Sequence, residues 1–222
     1  MNTYPIPFPE IMIRALNRLA KTQARLLPAP VWRKVKAGDM LWVREKFKQV
    51  TSGQVKNGYG EVRYGIAYSA NDSVIWKDHV TKIHDYTGQA DTGPLQFKKR
   101  RWKPSIHMPR WASRMTLEVE EVRREHLQKI TQHDAWEEGV SQALELLRRE
   151  EGELSLPNFS GGGLRAFVQQ EFGSNRAAFH WLWNRLHKRR GERWEDNPEV
   201  FVMVFKVHHA NIDGLLKTWR AA

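Results

Sequence analysis

The chain has 222 residues, 41% hydrophobic and 11% aromatic, and carries a formal net charge of +11. That length and apolar content describe one folded domain, with or without insertions, rather than a disordered chain. The absence of cysteine excludes disulfides, thiolate metal sites and a cysteine nucleophile, and it suits a reducing compartment.

Residues 1–9 hold three prolines and read as an extended strand. From Glu10 to about Ala20, apolar Ile11, Ile13, Ala15, Leu16 and Leu19 predict a short amphipathic helix. It runs into Lys21-Thr22-Gln23-Ala24-Arg25, and Pro28 and Pro30 then end regular structure. After the turn at Gly38-Asp39, Met40 to Phe47 (MLWVREKF) reads as a strand. Residues 48–61 read as a hairpin-like connection and Val62 to Tyr68 as a second strand. Residues 69–96 are polar and read as a long excursion of low order.

Met115 to Val122 alternates apolar and polar residues as a half-buried strand does. Thr131 caps a helix beginning near Gln132, with Asp134 in its first turn, running through Ala135, Trp136, Val140, Ala143, Leu144 and Leu147. Residues 149–162 read as a loop ending in a glycine run. That run lacks the GK[ST] ending of a phosphate loop and reads as a hinge. A short helix is expected at 164–172, and Ser174 or Asn175 caps the next, which carries Phe179, Trp181, Leu182, Trp183 and Leu186. Val200 to Val207 reads as a strand buried on both faces, followed by an amphipathic tail. These elements predict a mixed α+β domain, a mostly antiparallel β-barrel with flanking helices.

One stretch stands apart. Residues 97–114, FKKRRWKPSIHMPRWASR, contain seven Lys or Arg, no acid, two Trp and two Pro. The prolines exclude a helix interior or central strand. An ordered loop with interleaved cations and rings suits a polyanion with flat bases. The alternative is a solvated loop whose tryptophans anchor the core. The N-terminus MNTYPIPFPEIMIRAL lacks the basic start and apolar core of a signal peptide, and no stretch approaches about 18 apolar residues. A soluble, cytoplasmic protein without a membrane partner is expected.

Four segments together resemble the ASCH domain of the PUA-like superfamily, in the form found in many phage and prophage proteins. They are IMIRAL…KTQAR at 11–25, GDMLWVRE at 38–45, RWKPSIHMPRWASR at 101–114 and FHWLWNRL…WEDNPEVFVMVFKV at 179–207. The resemblance implies one PUA-like domain over 1–207, with variable insertions near 48–96 and 149–175 and a C-terminal tail at 208–222. It also implies a β-barrel with helices around a cleft. In related enzymes that deacetylate acetylcytidine, the segment after the first helix supplies a lysine and, three residues on, a threonine, and a later glutamate completes the site. Here Lys21 matches the lysine and Glu138 the glutamate. Ala24 stands at the threonine position and Leu19 at a preceding glycine. Alanine offers no oxygen nucleophile, so the threonine mechanism is disfavoured.

The resulting expectation is a protein that binds RNA, another nucleic acid or a modified nucleoside in a cationic cleft, with no cofactor and no metal. Lys21, Arg25, Lys98, Lys99, Arg100, Arg101, Trp102, Lys103, His107, Arg110, Trp111 and Arg114 are its candidate contacts. Lys21 and Glu138 are the candidate acid–base pair if the protein is an enzyme, an acetylcytidine amidohydrolase or a ribonuclease. A phage assembly protein with an acidic protein partner is the third reading. Arg110 and Arg114 have an alternative role in ion pairs with Glu118 or Glu45. Trp42, Phe179, Trp181 and Trp183 are expected in the core.

Overall fold

The computed structural model describes residues 1–56, 59–71, 73–83, 101–144 and 161–221. The chain is α+β. Five strands form one sheet: β1 (Thr3–Pro7), β2 (Gln23–Leu26), β3 (Met40–Arg44), β7 (Thr116–His126) and β8 (Glu199–His208). Their order is β1-β3-β7-β8-β2. β1 runs parallel to β3, and the other pairings are antiparallel. Among the described residues no strand pairing closes this sheet into a barrel. The remaining strands β4 (Phe47–Lys56), β5 (Tyr59–Tyr68) and β6 (Val74–Ile83) form a separate antiparallel sheet.

The alternation of β3 explains why MLWV is apolar throughout. Successive strand side chains point to opposite faces. Leu41 and Val43 enter the main core, while Met40 and Trp42 face Ile212 of the C-terminal helix α5 (Ile212–Ala221). Both faces are therefore covered. β8 contributes Val200, Phe201, Val202, Met203 and Phe205 to the main core, as its unbroken apolar run predicts.

Helix α1 (Glu10–Asn17) buries Met12, Ile13, Ala15 and Leu16. Helix α2 (Gln132–Glu137) starts in a capping box: the Thr131 side chain accepts from the Asp134 N–H, and Asp134 accepts from the Thr131 N–H. Helices α3 (Gly161–Phe172) and α4 (Asn175–Leu186) follow. Ser174 caps α4 by accepting from the Ala177 N–H.

Four expectations change. Residues 48–56 and 59–61, with part of 69–96, are strands rather than a connection and a low-order excursion. β4 and β5 pair along their full lengths, and β5 pairs with β6. The segment 23–26, into which the first helix is expected to run, is an edge strand on β8. The helix expected through 132–147 breaks at Gly139, which holds φ at 72°, and resumes at 140–144. The glycines at 161–163 open α3 instead of forming a hinge, and Phe167 and Val168 of that helix join the main core. Lys98, Lys99, Arg100 and Leu147 lie outside the described residues.

Candidate functional site

The end of α1 sets the position of Lys21. The Leu19 N–H donates to the Leu16 carbonyl and the Ala20 N–H to the Ala15 carbonyl. This is the double bond of a Schellman cap, with Leu19 at the left-handed position, φ 55°. Glycine usually fills that position. The cap reverses the chain at once, so Lys21 turns inward.

Lys21 is 2% exposed, Glu138 3% and Arg25 5%. The Lys21 Nζ donates to Glu138 Oε2 at 2.7 Å and to the Glu138 carbonyl at 3.0 Å. Arg25 Nη1 lies 3.1 Å from the other Glu138 oxygen, and Nη2 lies 2.7 Å from Glu125 and 3.3 Å from Asp134. Arg123 extends the group to Asp134 at 3.2 Å and to Glu121 at 3.1 Å. Lys21, Arg25 and Arg123 thus meet four carboxylates, those of Glu138, Glu125, Asp134 and the more exposed Glu121. Burial lowers the proton affinity of Lys21, while the charge and hydrogen bond of Glu138 act in the opposite sense. Asp134 is held below the usual carboxylate range. Its burial acts upward, but the Thr131 bonds and the Arg25 charge together outweigh it.

Gly139 makes this approach possible. A Cβ there would meet Lys21 Cβ at 3.0 Å, Ala15 Cβ at 3.1 Å and the Ala20 carbonyl at 3.2 Å. Ala24, on the opposite face of β2 from Gln23 and Arg25, belongs to the main apolar core. Neither nearby hydroxyl replaces the missing nucleophile. Thr22 donates to Glu137, and buried Ser113 bonds the carbonyls of Val43 and Met115. Glu137 lines a groove of about 590 Å³ together with Trp136, Arg165 and Ser174, while Glu138, next in the chain, faces the buried cluster.

The basic loop is a separate construction. Met108 and Ala112 are buried against Phe47, Ile66 and Tyr68, and the Tyr68 hydroxyl donates to the Ala112 carbonyl. The Asn211 amide reaches the carbonyls of Arg110, Trp111 and Ser113 at 2.8–3.1 Å. Arg114 forms a two-point pair with Glu45, at 2.8 and 2.7 Å, and Glu45 is 1% exposed. Arg110 bonds Asp213 at 2.9 Å and Thr3 at 2.7 Å. These arginines therefore clamp the loop to the fold. Of the two partners expected from the sequence, Glu45 is the one Arg114 takes. Arg101, Lys103 and His107 are exposed, as is Trp111 at 37%. Trp102 is half-buried under the Lys48 ammonium, 4.5 Å from its ring.

The structure thus brings Lys21, Arg25 and Glu138 together, and places the loop contacts on a surface of their own. Sequence reasoning missed Arg123, Glu125 and Asp134 as members of the cluster. The available signal was the i, i+2 spacing of Arg123 and Glu125, which puts both on one face of a strand. It also misassigned Trp181, which is 41% exposed rather than core, because helical spacing alone does not say which face is covered. Trp42, Phe179 and Trp183 are buried as expected. Among the described residues no group of three His, Asp or Glu is placed to hold a metal ion, and no helix is long and apolar enough to cross a membrane. No family model, curated protein or solved structure matches the chain.

Proposed function

We propose that this chain is a nucleic-acid-binding protein on a PUA-like, ASCH-type domain, taking RNA or a modified nucleoside. The observation that carries this reading is the anchored loop at 101–114. Its buried side is fastened by Met108, Ala112, Asn211 and the Arg114–Glu45 pair, and its outer side presents Arg101, Lys103, His107 and Trp111. Cations held beside an exposed ring supply phosphate attraction and a stacking surface at once. Arg110 and Arg114 serve by holding the loop.

Binding of a labelled single-stranded RNA, followed by fluorescence anisotropy over a salt series, tests it. Neutralising two to four phosphates at the loop contributes roughly −1.4 to −2.8 to the slope of log K against log salt. The double substitution Arg101→Ala with Lys103→Ala makes that slope shallower by about 1.4. A slope near zero for the unaltered chain rejects the reading.

A second reading, hydrolysis of an acylated nucleoside, is favoured by one observation. Lys21 has its proton affinity lowered by burial and sits 2.7 Å from a carboxylate, the setting that prepares an amine for acid–base work. With Ala24 in place of a hydroxyl, the attacking group would have to be water. Turnover of acetylcytidine that Lys21→Ala abolishes supports this second reading. Equal turnover by both proteins, including none, rejects it.

A further inference from the structure

Helix α4 buries Ala178, Phe179, Leu182 and Trp183 and leaves a different surface at its C-terminal end. Trp181 is 41% exposed and leans on Phe172, with ring centroids 5.9 Å apart. Arg185, one turn further on, lies over the Trp181 ring at 5.3 Å. Lys188, Arg189 and Arg190 follow after Leu186 and His187, and all three are exposed.

This tripeptide is not a frayed end. The Trp183 indole N–H donates to the Glu192 carbonyl at 2.7 Å, and the Trp194 N–H donates to the Asn184 side chain at 2.8 Å. Both bonds fold residues 187–194 back against α4. Gly191, φ 87°, allows the reversal, and its N–H donates to Asp196.

Of the neighbouring acids, Glu192 acts on His187. Glu195 bonds His180 and Asn184, and Asp196 pairs with Arg193. Among the described residues, Lys188, Arg189 and Arg190 have no carboxylate partner. The negative end of the α4 dipole offsets roughly half a charge and Glu192 up to one more, which leaves a net positive end on the helix that also carries the exposed Trp181.

We propose that this end of α4 is a second contact surface for single-stranded nucleic acid, with Lys188, Arg189 and Arg190 on phosphates and Trp181 stacked on a base. The partner class rests on the nucleic-acid reading of the loop, but the surface stands on its own residues. Cations supply the phosphate attraction, and the Trp181 ring, steadied by its tilted contact with Phe172, stacks a base once Arg185 moves off its face. A membrane surface fits less well, since the apolar area beside these cations amounts to Trp181 and Leu186.

The test compares four proteins on a labelled oligouridylate over a salt series: the unaltered chain, Lys188→Ala/Arg189→Ala/Arg190→Ala, Trp181→Ala, and the loop pair Arg101→Ala/Lys103→Ala. The triple substitution is expected to make the slope shallower by about 2. Trp181→Ala is expected to weaken binding roughly 5- to 100-fold at unchanged slope. All substituted side chains are exposed, and circular dichroism melts check that each variant folds.

If the loop pair weakens binding and the triple variant binds as the unaltered chain does, the second surface is rejected and the loop reading stands. If the triple variant weakens binding and the loop pair does not, the second surface stands and the loop reading falls. An unaltered chain that binds no oligouridylate, or that binds phosphatidylserine vesicles through Lys188–Arg190 in its place, overturns the second surface.

Discussion

Leu19 carries a local cost that its surroundings do not repay through burial. It sits at the left-handed position of the α1 cap with φ 55° and is 58% exposed. An L-residue loses about 1–2 kcal/mol there, while glycine gives back part of the gain through its freer unfolded chain. Leu19→Gly is therefore expected to stabilise the protein by about 0.5–1 kcal/mol, read as a higher urea midpoint at unchanged slope. Lys21, two residues on, has a pH signature. Its folded proton affinity lies below the ordinary value of 10.5, so the unfolded chain holds more protons in the alkaline window beneath that value. Stability from this group then rises with pH. The stability of the unaltered chain minus that of Lys21→Met should increase from neutral pH toward 10.5 and level off above it. A difference that falls over that window contradicts the burial argument.

Elements differed in how well local pattern foretold them. α1, β3, β7 and β8 follow from apolar periodicity, and the caps at Thr131 and Ser174 follow from side chains that hydrogen-bond backbone N–H groups. β2 escaped because its inward face is charged. Gln23 and Arg25 are buried, yet their environment is carboxylate and not hydrocarbon, so no hydrophobic alternation marks the strand. The long helix expected from Gln132 fails at Gly139 for a spatial reason. Its apolar positions continue across the break, but the backbone must bend where Lys21 and Ala15 would come within about 3 Å of any Cβ placed on the glycine. Gly139→Ala combines a left-handed backbone with overpacking, and is expected to cost about 2–4 kcal/mol. Chemical denaturation measures the loss. A cost below about 0.5 kcal/mol, the level of an ordinary surface change, would show that the neighbours yield.

For the whole molecule, the C-terminal segment matters beyond its own length. Helix α5 inserts Ile212, fully buried, between Met40 and Trp42. Asn211 just before it ties down the basic loop, and Asp213 holds Arg110. Ending the chain after His209 should therefore cost about 2–4 kcal/mol, from one buried isoleucine and the uncovered face of β3. It should also speed amide exchange at 110–113. Unchanged exchange there would mean that Asn211 does not hold the loop. The formal charge of +11 is likewise sorted by the fold. Lys21, Arg25, Arg110 and Arg114 are spent on internal pairs, while Arg101, Lys103 and the 188–190 cations remain outside.

The sequence by itself determined the α+β class, the apolar strands, two helix caps and the location of the basic loop at 101–114. All of these depend on neighbours in the chain: periodicity, turn chemistry and local charge. Tertiary structure alone decided which cations are buried, that Glu138 lies between Lys21 and Arg25, that Arg114 belongs to Glu45, and that Trp181 faces outward. The ion pairs among these outcomes join residues 69 to 117 positions apart in the chain. A charged residue has the same local signature whether it meets a distant carboxylate or water, and only the folded chain makes that choice.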